Sequence, residues 1–178
     1  MSREVRLLTS TVYFADDGDV PNNSLPLIIY QGAIEPGAAD PAAAFEELFE
    51  RNGWGGSWRN GIFPFHHYHS NAHEVLGIAA GEAEVRFGGE QGRTLSVRAG
   101  DAVLIPAGVG HKRLSATPDL LVVGAYPLGQ RADLMRVGAE DKGGIRRRIA
   151  AVPIPESDPV AGPPGPLAGH WASLIHRG

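Results

Sequence analysis

The stretch from Gly61 to Gly81 constrains this chain most, because it concentrates side chains that bind metal ions. It reads GIFPFHHYHSNAHEVLGIAAG and holds four of the seven histidines in the 178-residue chain. Alternate side chains of an extended strand point to one face, so His67 and His69 face the same way. A turn over residues 70–72, which are Ser, Asn and Ala, followed by a second strand returns the carboxylate of Glu74 to that face.

A fourth metal-binding side chain lies downstream at His111, after a buried run and a Pro-Ala-Gly turn. Three imidazoles and one carboxylate suit Mn, Fe(II), Ni, Cu(II) or Zn, and they leave one or two positions for water or substrate. We therefore predict that His67, His69, Glu74 and His111 bind one divalent metal ion.

Two further histidines of the stretch, His66 and His73, are interpreted as bystanders. Strand alternation turns each of them away from the face that carries the ligands. A helical zinc site built from His69 and His73, four residues apart, is disfavoured by Pro64 and by the strand-like pattern on both sides.

Both stretches together resemble the two signature motifs of the cupin family. The first motif, Gly-x5-His-x-His-x4-Glu-x6-Gly, is matched at Gly61, His67, His69, Glu74 and Gly81. The second, Gly-x5-Pro-x-Gly-x2-His-x3-Asn, is matched at Gly100, Pro106, Gly108 and His111, with Ser115 where Asn is usual. The wider sequence is similar to a bacterial single-domain cupin subgroup. The resemblance implies an all-β, double-stranded β-helix, or jelly roll, with these four side chains on one metal.

Composition narrows the function classes. The chain has no cysteine, which excludes disulfides, thiolate-bound zinc and iron–sulfur clusters. Its net charge of −4 argues against a nucleic-acid partner. No run approaches the roughly 18 apolar residues of a membrane span, and residues 1–11 lack the apolar core of a signal peptide. We expect a soluble cytoplasmic protein that binds a small-molecule ligand or substrate, and neither nucleic acid nor a membrane.

The pattern from Gly61 onward is that of short strands separated by turn residues, which is typical of a sandwich or barrel. The predicted strands are Glu82–Phe87, Leu95–Val97, Ala102–Ile105, His111–Leu114 and Leu120–Tyr126. Two more strands, Val12–Phe14 and Leu25–Ile34, precede the motifs, and Pro26 would confine the second to a sheet edge or a strand start.

One helix is clear, from Asp40 to Asn52. Asp40 is a good N-cap, Pro41 fits the first turn, and apolar residues from Phe45 onward recur at helical spacing. The segment that follows, residues 54–61, carries two tryptophans among glycines. These side chains either line a ligand pocket or fix the helix onto the sheet, and packing is the favoured interpretation.

The C-terminal part combines a helix and an arm. Residues 138–151 are predicted to end in a helix whose basic run, Arg146–Arg148, forms a solvated face. Residues 152–169 contain six prolines, which predict an extended arm. We expect one cupin domain over residues 1–178, with N-terminal strands and helix at 1–57, the barrel core at 58–130, and the C-terminal helix and Pro-rich arm at 131–178.

Two functions fit such a metal site. The first is a metal-dependent enzyme on a small oxygenated molecule, either a dioxygenase or an isomerase or lyase. Tyr126 as proton donor and Arg113 as anion anchor are its candidate catalytic residues, although their strand parity is open. The second is a non-catalytic cupin that binds or senses a small ligand. A proton-transfer residue beside the metal would favour the enzyme.

The N-terminal strands and the arm also suggest assembly. We predict a homodimer built through these segments, with Trp171, Leu174 and Ile175 carried by the arm to a partner, because an unpaired strand edge favours association. The alternative is that strands and arm both fold back on their own subunit.

Overall fold

The structure is a computed structural model that describes residues 7–172, and Leu174, Ile175 and His176 lie outside the described residues. The strands are β1 Leu8–Phe14, β2 Asn23–Gln31, β3 Trp54–Asn60, β4 His67–Tyr68, β5 Glu74–Ala80, β6 Glu82–Phe87, β7 Arg93–Arg98, β8 Ala102–Ile105, β9 His111–Ala116, β10 Leu121–Pro127 and β11 Met135–Arg136. The helices are α1 Pro41–Arg51, α2 Lys142–Ala150 and α3 Pro166–Trp171. No helix among residues 7–172 is long and apolar enough to cross a membrane.

The strands form two antiparallel sheets. The larger has six strands in the order β1-β2-β8-β5-β10-β3, and the smaller has five in the order β11-β4-β9-β6-β7. Apolar side chains from both sheets, among them Leu76 and Val85, form one core cluster, so the sheets face each other. The double-stranded β-helix that the sequence predicts is confirmed.

The central strands of the six-stranded sheet are buried on both faces. The second face of the sheet packs against α1 and α3 in a separate core cluster that includes Val75, Phe45 and Trp171. This explains why β5 and β8 are apolar without alternation, since residues of either parity are covered. The helix packs closely on the sheet at Gly77, where an added Cβ would lie 2.5 Å from the Phe45 ring.

Helix α1 is confirmed close to its predicted ends. The Asp40 side chain accepts a hydrogen bond from the Ala43 N–H at 3.1 Å, and Pro41 is the first helical residue. Phe45 and Phe49 are fully buried beneath it.

The tryptophan segment is a strand, β3, at the edge of the larger sheet, and the sequence analysis missed it. Gly55 and Gly56 lie inside it and hide its strand character, because glycine is depleted in strands. Each of the two roles considered for the tryptophans is seen once: Trp54 is buried in the core, and Trp58 lines a cavity.

β1 ends at Phe14 as predicted but begins four residues earlier, and β2 begins two and ends three residues earlier than predicted. β2 lies between β1 and β8, so of the two positions predicted from Pro26 the sheet edge is wrong, and the proline lies near the strand start, as the fourth residue of β2. The proline is accommodated because the β1–β2 pairing shifts register between Leu27 and Asn23.

The arm is not wholly extended, since it contains the short helix α3. It is held by Asp158, a buried carboxylate that accepts hydrogen bonds from the Tyr30 hydroxyl and from the N–H groups of Val160, Ala161 and Leu167. Burial and this carboxylate raise the pKa of Tyr30.

Trp171 of the arm lies against the barrel of its own chain. The Trp171 indole N–H donates to the Pro26 carbonyl at 2.9 Å, and its ring centroid is 4.7 Å from that of His73. The N-terminal strands likewise pair within the chain. Exchange between subunits is therefore not needed to cover these surfaces, and the homodimer stays a prediction.

Replacing Asp158 with Ala should lower the free energy of unfolding by about 3 kcal/mol or more, because one hydroxyl and three N–H groups lose their acceptor. Urea unfolding measures it. Asp119→Ala, at an exposed turn, is the control and should change stability by less than about 0.5 kcal/mol. Equal effects of the two substitutions would contradict the anchoring role.

His73 should make stability depend on pH. Its side chain is 1% exposed, its Nδ1 accepts the Ala107 N–H at 2.9 Å, and burial lowers its pKa from 6.5 to about 4. The folded state therefore favours neutral His73 more than the unfolded state does. Neutral His73 contributes up to about 3 kcal/mol to the free energy of unfolding. This contribution is complete above the unfolded-state pKa of 6.5 and is lost as the pH falls from 6.5 towards 4.

The substitution His73→Gln retains an acceptor but does not titrate, so its stability should fall less steeply with decreasing pH than that of the wild type. Urea unfolding across this pH range gives both slopes, with His66→Gln as control. A variant slope equal to that of the wild type would refute the assignment.

Candidate metal centre

The site forms where three short segments of the barrel meet. His67 lies on β4 and is paired with His111, the first residue of β9. Glu74 is the first residue of β5, and His69 directly follows β4. The turn after His69 therefore returns the acid towards the histidines, as the sequence predicts.

Three of the four predicted ligands converge. The Nε2 atom of His69 is 3.2 Å from one carboxylate oxygen of Glu74, and the Nε2 atom of His111 is 3.4 Å from the other. Donor atoms of these three residues lie within 4.8 Å of one another, so the group can hold a metal ion.

His67 lies beside this group but outside it. Its ring centroid is 4.0 Å from that of His111, and it lines the same cavity. Burial, with the neighbouring His111, lowers the pKa of His67 to about 3, so the imidazole is neutral and able to act as a ligand.

All three imidazoles are oriented by backbone carbonyl groups. A carbonyl oxygen only accepts, so the Nδ1 atom beside it carries a hydrogen and Nε2 is the nitrogen left for a metal. The pairs are His67 Nδ1 with Phe65 O at 3.0 Å, His111 Nδ1 with Val109 O at 3.1 Å, and His69 Nδ1 with Asp133 O. Each histidine thus offers Nε2 to a metal, which on His69 would displace the proton that Glu74 stabilises there.

Charges within the group stabilise one another. Burial opposes the charged form of His69, but Glu74 and the Asp133 carbonyl overcome it and raise the His69 pKa to about 9. Burial also opposes ionisation of Glu74, yet the two histidines hold its pKa well below the usual range. A buried carboxylate in this state favours a cation beside it.

A loop that the sequence analysis did not identify supports His69. The Asp133 carboxylate accepts hydrogen bonds from the Ser70 N–H, at 2.7 Å, and from its hydroxyl. The Asp133 N–H donates to the Asn71 side chain at 2.8 Å, and Arg148 donates to the Ser70 oxygen at 2.7 Å. The carbonyl that orients His69 is therefore fixed by several contacts.

The basic run Arg146–Arg148 is more than the solvent-exposed face that the sequence predicts. Arg147 and Arg148 are exposed, as predicted, but Arg148 contacts Ser70 and Arg146 pairs with Asp16. These contacts join α2 to the N-terminal part of the chain and to the loop beside the metal centre.

The two bystander histidines point elsewhere. His66 lies beside Glu90 in a separate surface depression. His73 lies on the far side of the sheet, against Trp171.

The candidate metal-binding group of His69, Glu74 and His111 opens into a cavity of about 380 Å³. Both candidate catalytic residues, Tyr126 and Arg113, line it. The Tyr126 oxygen accepts the Trp58 indole N–H at 2.8 Å, and burial, with the nearby Glu74, raises the Tyr126 pKa. The remaining lining residues are Asn60, Gly61, Ile62, Phe63, Pro64 and Leu76.

Solved structures with similar coordinates include "Acireductone dioxygenase from Bacillus anthracis with cadmium ion in active center". It is 14% identical with a TM-score of 0.38, and the match covers 52% of this chain and 63% of that chain. A protein with a double-stranded β-helix domain from Klebsiella pneumoniae is 14% identical with a TM-score of 0.38, over 78% of this chain and 85% of that chain.

Sequence comparison is more specific. The cupin domain family matches residues 59–122, which contain all four predicted ligands. The relative named "Uncharacterized protein YjlB", from Bacillus subtilis (strain 168), is 43% identical over 164 residues, which cover 92% of this chain and 96% of the relative. The chain therefore belongs to the cupin family, in a bacterial subgroup that includes YjlB.

Proposed function

We propose that this cupin is a divalent-metal-dependent enzyme that acts on a small oxygenated molecule, as a dioxygenase or as an isomerase or lyase. The observation that carries the proposal is the position of Tyr126, a proton-bearing side chain in the same cavity as the metal-binding group. A site that only binds a ligand does not require such a residue.

The residues present fit a metal such as Fe, Mn, Ni or Zn, with Cu as a further possibility. Imidazole nitrogens with fixed tautomers and one carboxylate are donors that these ions share. His69, Glu74 and His111 would hold the ion, and His67 would complete the set from its place beside His111. When bound, the ion supplies Lewis-acid polarisation of a substrate oxygen or, for Fe(II), a site for dioxygen.

Tyr126 is suited to move a proton. Its oxygen accepts the Trp58 N–H, so the hydroxyl hydrogen is the group it presents to Glu74 or to a molecule in the cavity. Its raised pKa keeps the phenol protonated. The hydroxyl can therefore donate to a developing negative charge on a bound substrate.

A non-catalytic role in binding or sensing a small ligand is the alternative. The apolar side chains of Ile62, Phe63 and Leu76 in the cavity wall favour it as well, since they bind ligand surface without chemistry. Turnover that depends on Tyr126 separates the two functions.

The cytoplasmic location and the homodimer are part of the proposal, to be tested by fractionation and by light scattering.

Metal binding is tested on protein purified without a histidine tag. His69→Ala should reduce bound metal at least about tenfold, because it removes one metal donor, the imidazole that the Asp133 loop holds in position. His66→Ala, outside the cavity, should leave metal content nearly unchanged. Elemental analysis measures both. Full metal content in the His69 variant would refute the assigned ligand set.

Catalysis is tested by oxygen-uptake and product assays on metal-loaded protein with diketones and keto acids. With any substrate that is turned over, Tyr126→Phe should lower kcat by about 100-fold while metal content is retained. Tyr13→Phe, on an exposed side chain, is the matched control. No turnover by the wild type, despite bound metal and bound ligand, would favour the binding function.

A further inference from the structure

Arg113 places a positive charge in the wall of the metal cavity. It lies two residues after His111 on β9, so both side chains point to one face of the strand. Their pairing partners on β6 are Val85 and Phe87, which are both in the core between the sheets. The face that carries His111 and Arg113 is therefore the inward one.

No carboxylate of the described residues 7–172 pairs with the Arg113 guanidinium. Among residues 7–172, no ion pair and no side-chain hydrogen bond involves Arg113. Other arginines behave differently: Arg59 pairs with Glu46, and Arg146 pairs with Asp16. An unpaired cation in a partly apolar cavity is unfavourable unless a ligand or water compensates it.

The acid in the cavity is already engaged. Glu74 is the carboxylate among the lining residues, and its two oxygens face His69 and His111. A divalent ion held there would add to the charge of Arg113, and Glu74 cannot balance both. With an ion bound, the cavity would therefore carry an excess of positive charge.

There is space beside the guanidinium for a ligand. Gly61 lies next to it, where an added Cβ would be 3.9 Å from the arginine Nη1 atom. Ile62 and Phe63 continue the wall as apolar surface. Arginine presents its N–H groups in a planar fork that matches a carboxylate.

We infer that the cavity takes a small carboxylic acid with a second oxygen function, whose carboxylate binds Arg113 and whose other oxygen faces the metal-binding group. This inference rests on the proposed function for the second contact. A carboxylate fits better than a phosphate, because Arg113 is the single arginine or lysine among the lining residues, and phosphate sites usually gather several donors.

The test compares the ligand pair 2-oxobutyrate and 2-butanone, which differ in the carboxylate, with methyl phosphate as a third probe. Binding to metal-loaded protein is followed by calorimetry and by fluorescence, since Trp58 lines the cavity. The variants are Arg113→Met, which removes the charge at similar length, and Arg113→Lys, which keeps it. Lys112→Met is the control, because the adjacent residue points to the opposite face.

The wild type should bind 2-oxobutyrate at least about tenfold more tightly than 2-butanone or methyl phosphate. Arg113→Met should remove that preference, Arg113→Lys should restore part of it, and Lys112→Met should not alter it. Metal content, measured on the same samples, should be equal in all four proteins. Equal binding of acid and ketone, no binding of 2-oxobutyrate at millimolar concentration, or an unchanged preference in Arg113→Met would overturn the inference.

The outcomes also separate this inference from the proposed function. Arg113-dependent binding of the acid without turnover would refute the enzyme and retain the carboxylate site. Turnover of an uncharged substrate, unaffected by Arg113→Met, would do the reverse. Tighter binding of methyl phosphate than of 2-oxobutyrate would replace the carboxylate with a phosphate ligand and overturn the inference as stated.

Discussion

The metal centre depends on one buried carboxylate remaining ionised. Removing Glu74 from water costs several kcal/mol, which the imidazoles of His69 and His111 offset by direct contact with its two oxygens. Those imidazoles stay in place because backbone carbonyls fix their tautomers. The Val109 carbonyl lies two residues before β9, and the Asp133 carbonyl is held by the contacts of its loop. The carboxylate of Glu74, the imidazoles beside it and the backbone of the barrel are thus linked by direct contacts.

Much of this arrangement can be predicted from the sequence, because its causes are local. The alternation of His67 and His69, the turn before Glu74 and the cap at Asp40 each depend on neighbouring residues. The wrong or missed features have other causes. β3 is hidden by glycines that the pairing with β10 tolerates, and Pro26 lies inside a sheet because the register shifts beside it.

Residues that support the site over long sequence separations could not be predicted. Asp133 lies 63 residues from Ser70, and Arg148 lies 78 residues from it. No periodicity or short motif in the sequence connects these residues. From sequence alone, an aspartate in a loop is expected to be an ordinary solvent-exposed residue. Arg113 is a candidate anion anchor from the sequence, where its strand parity stays open, and only the barrel shows that it shares a cavity with His111.

The position of Trp171 has a consequence for biosynthesis. The outer face of the larger sheet carries His73 and the core around α1, and Trp171 is part of its cover. A ribosome makes the barrel strands and both metal motifs long before it adds this residue. The nascent barrel therefore exposes apolar surface until Trp171 leaves the exit tunnel, so slow translation or premature termination near the end of the chain would give chaperones and proteases time to act on it.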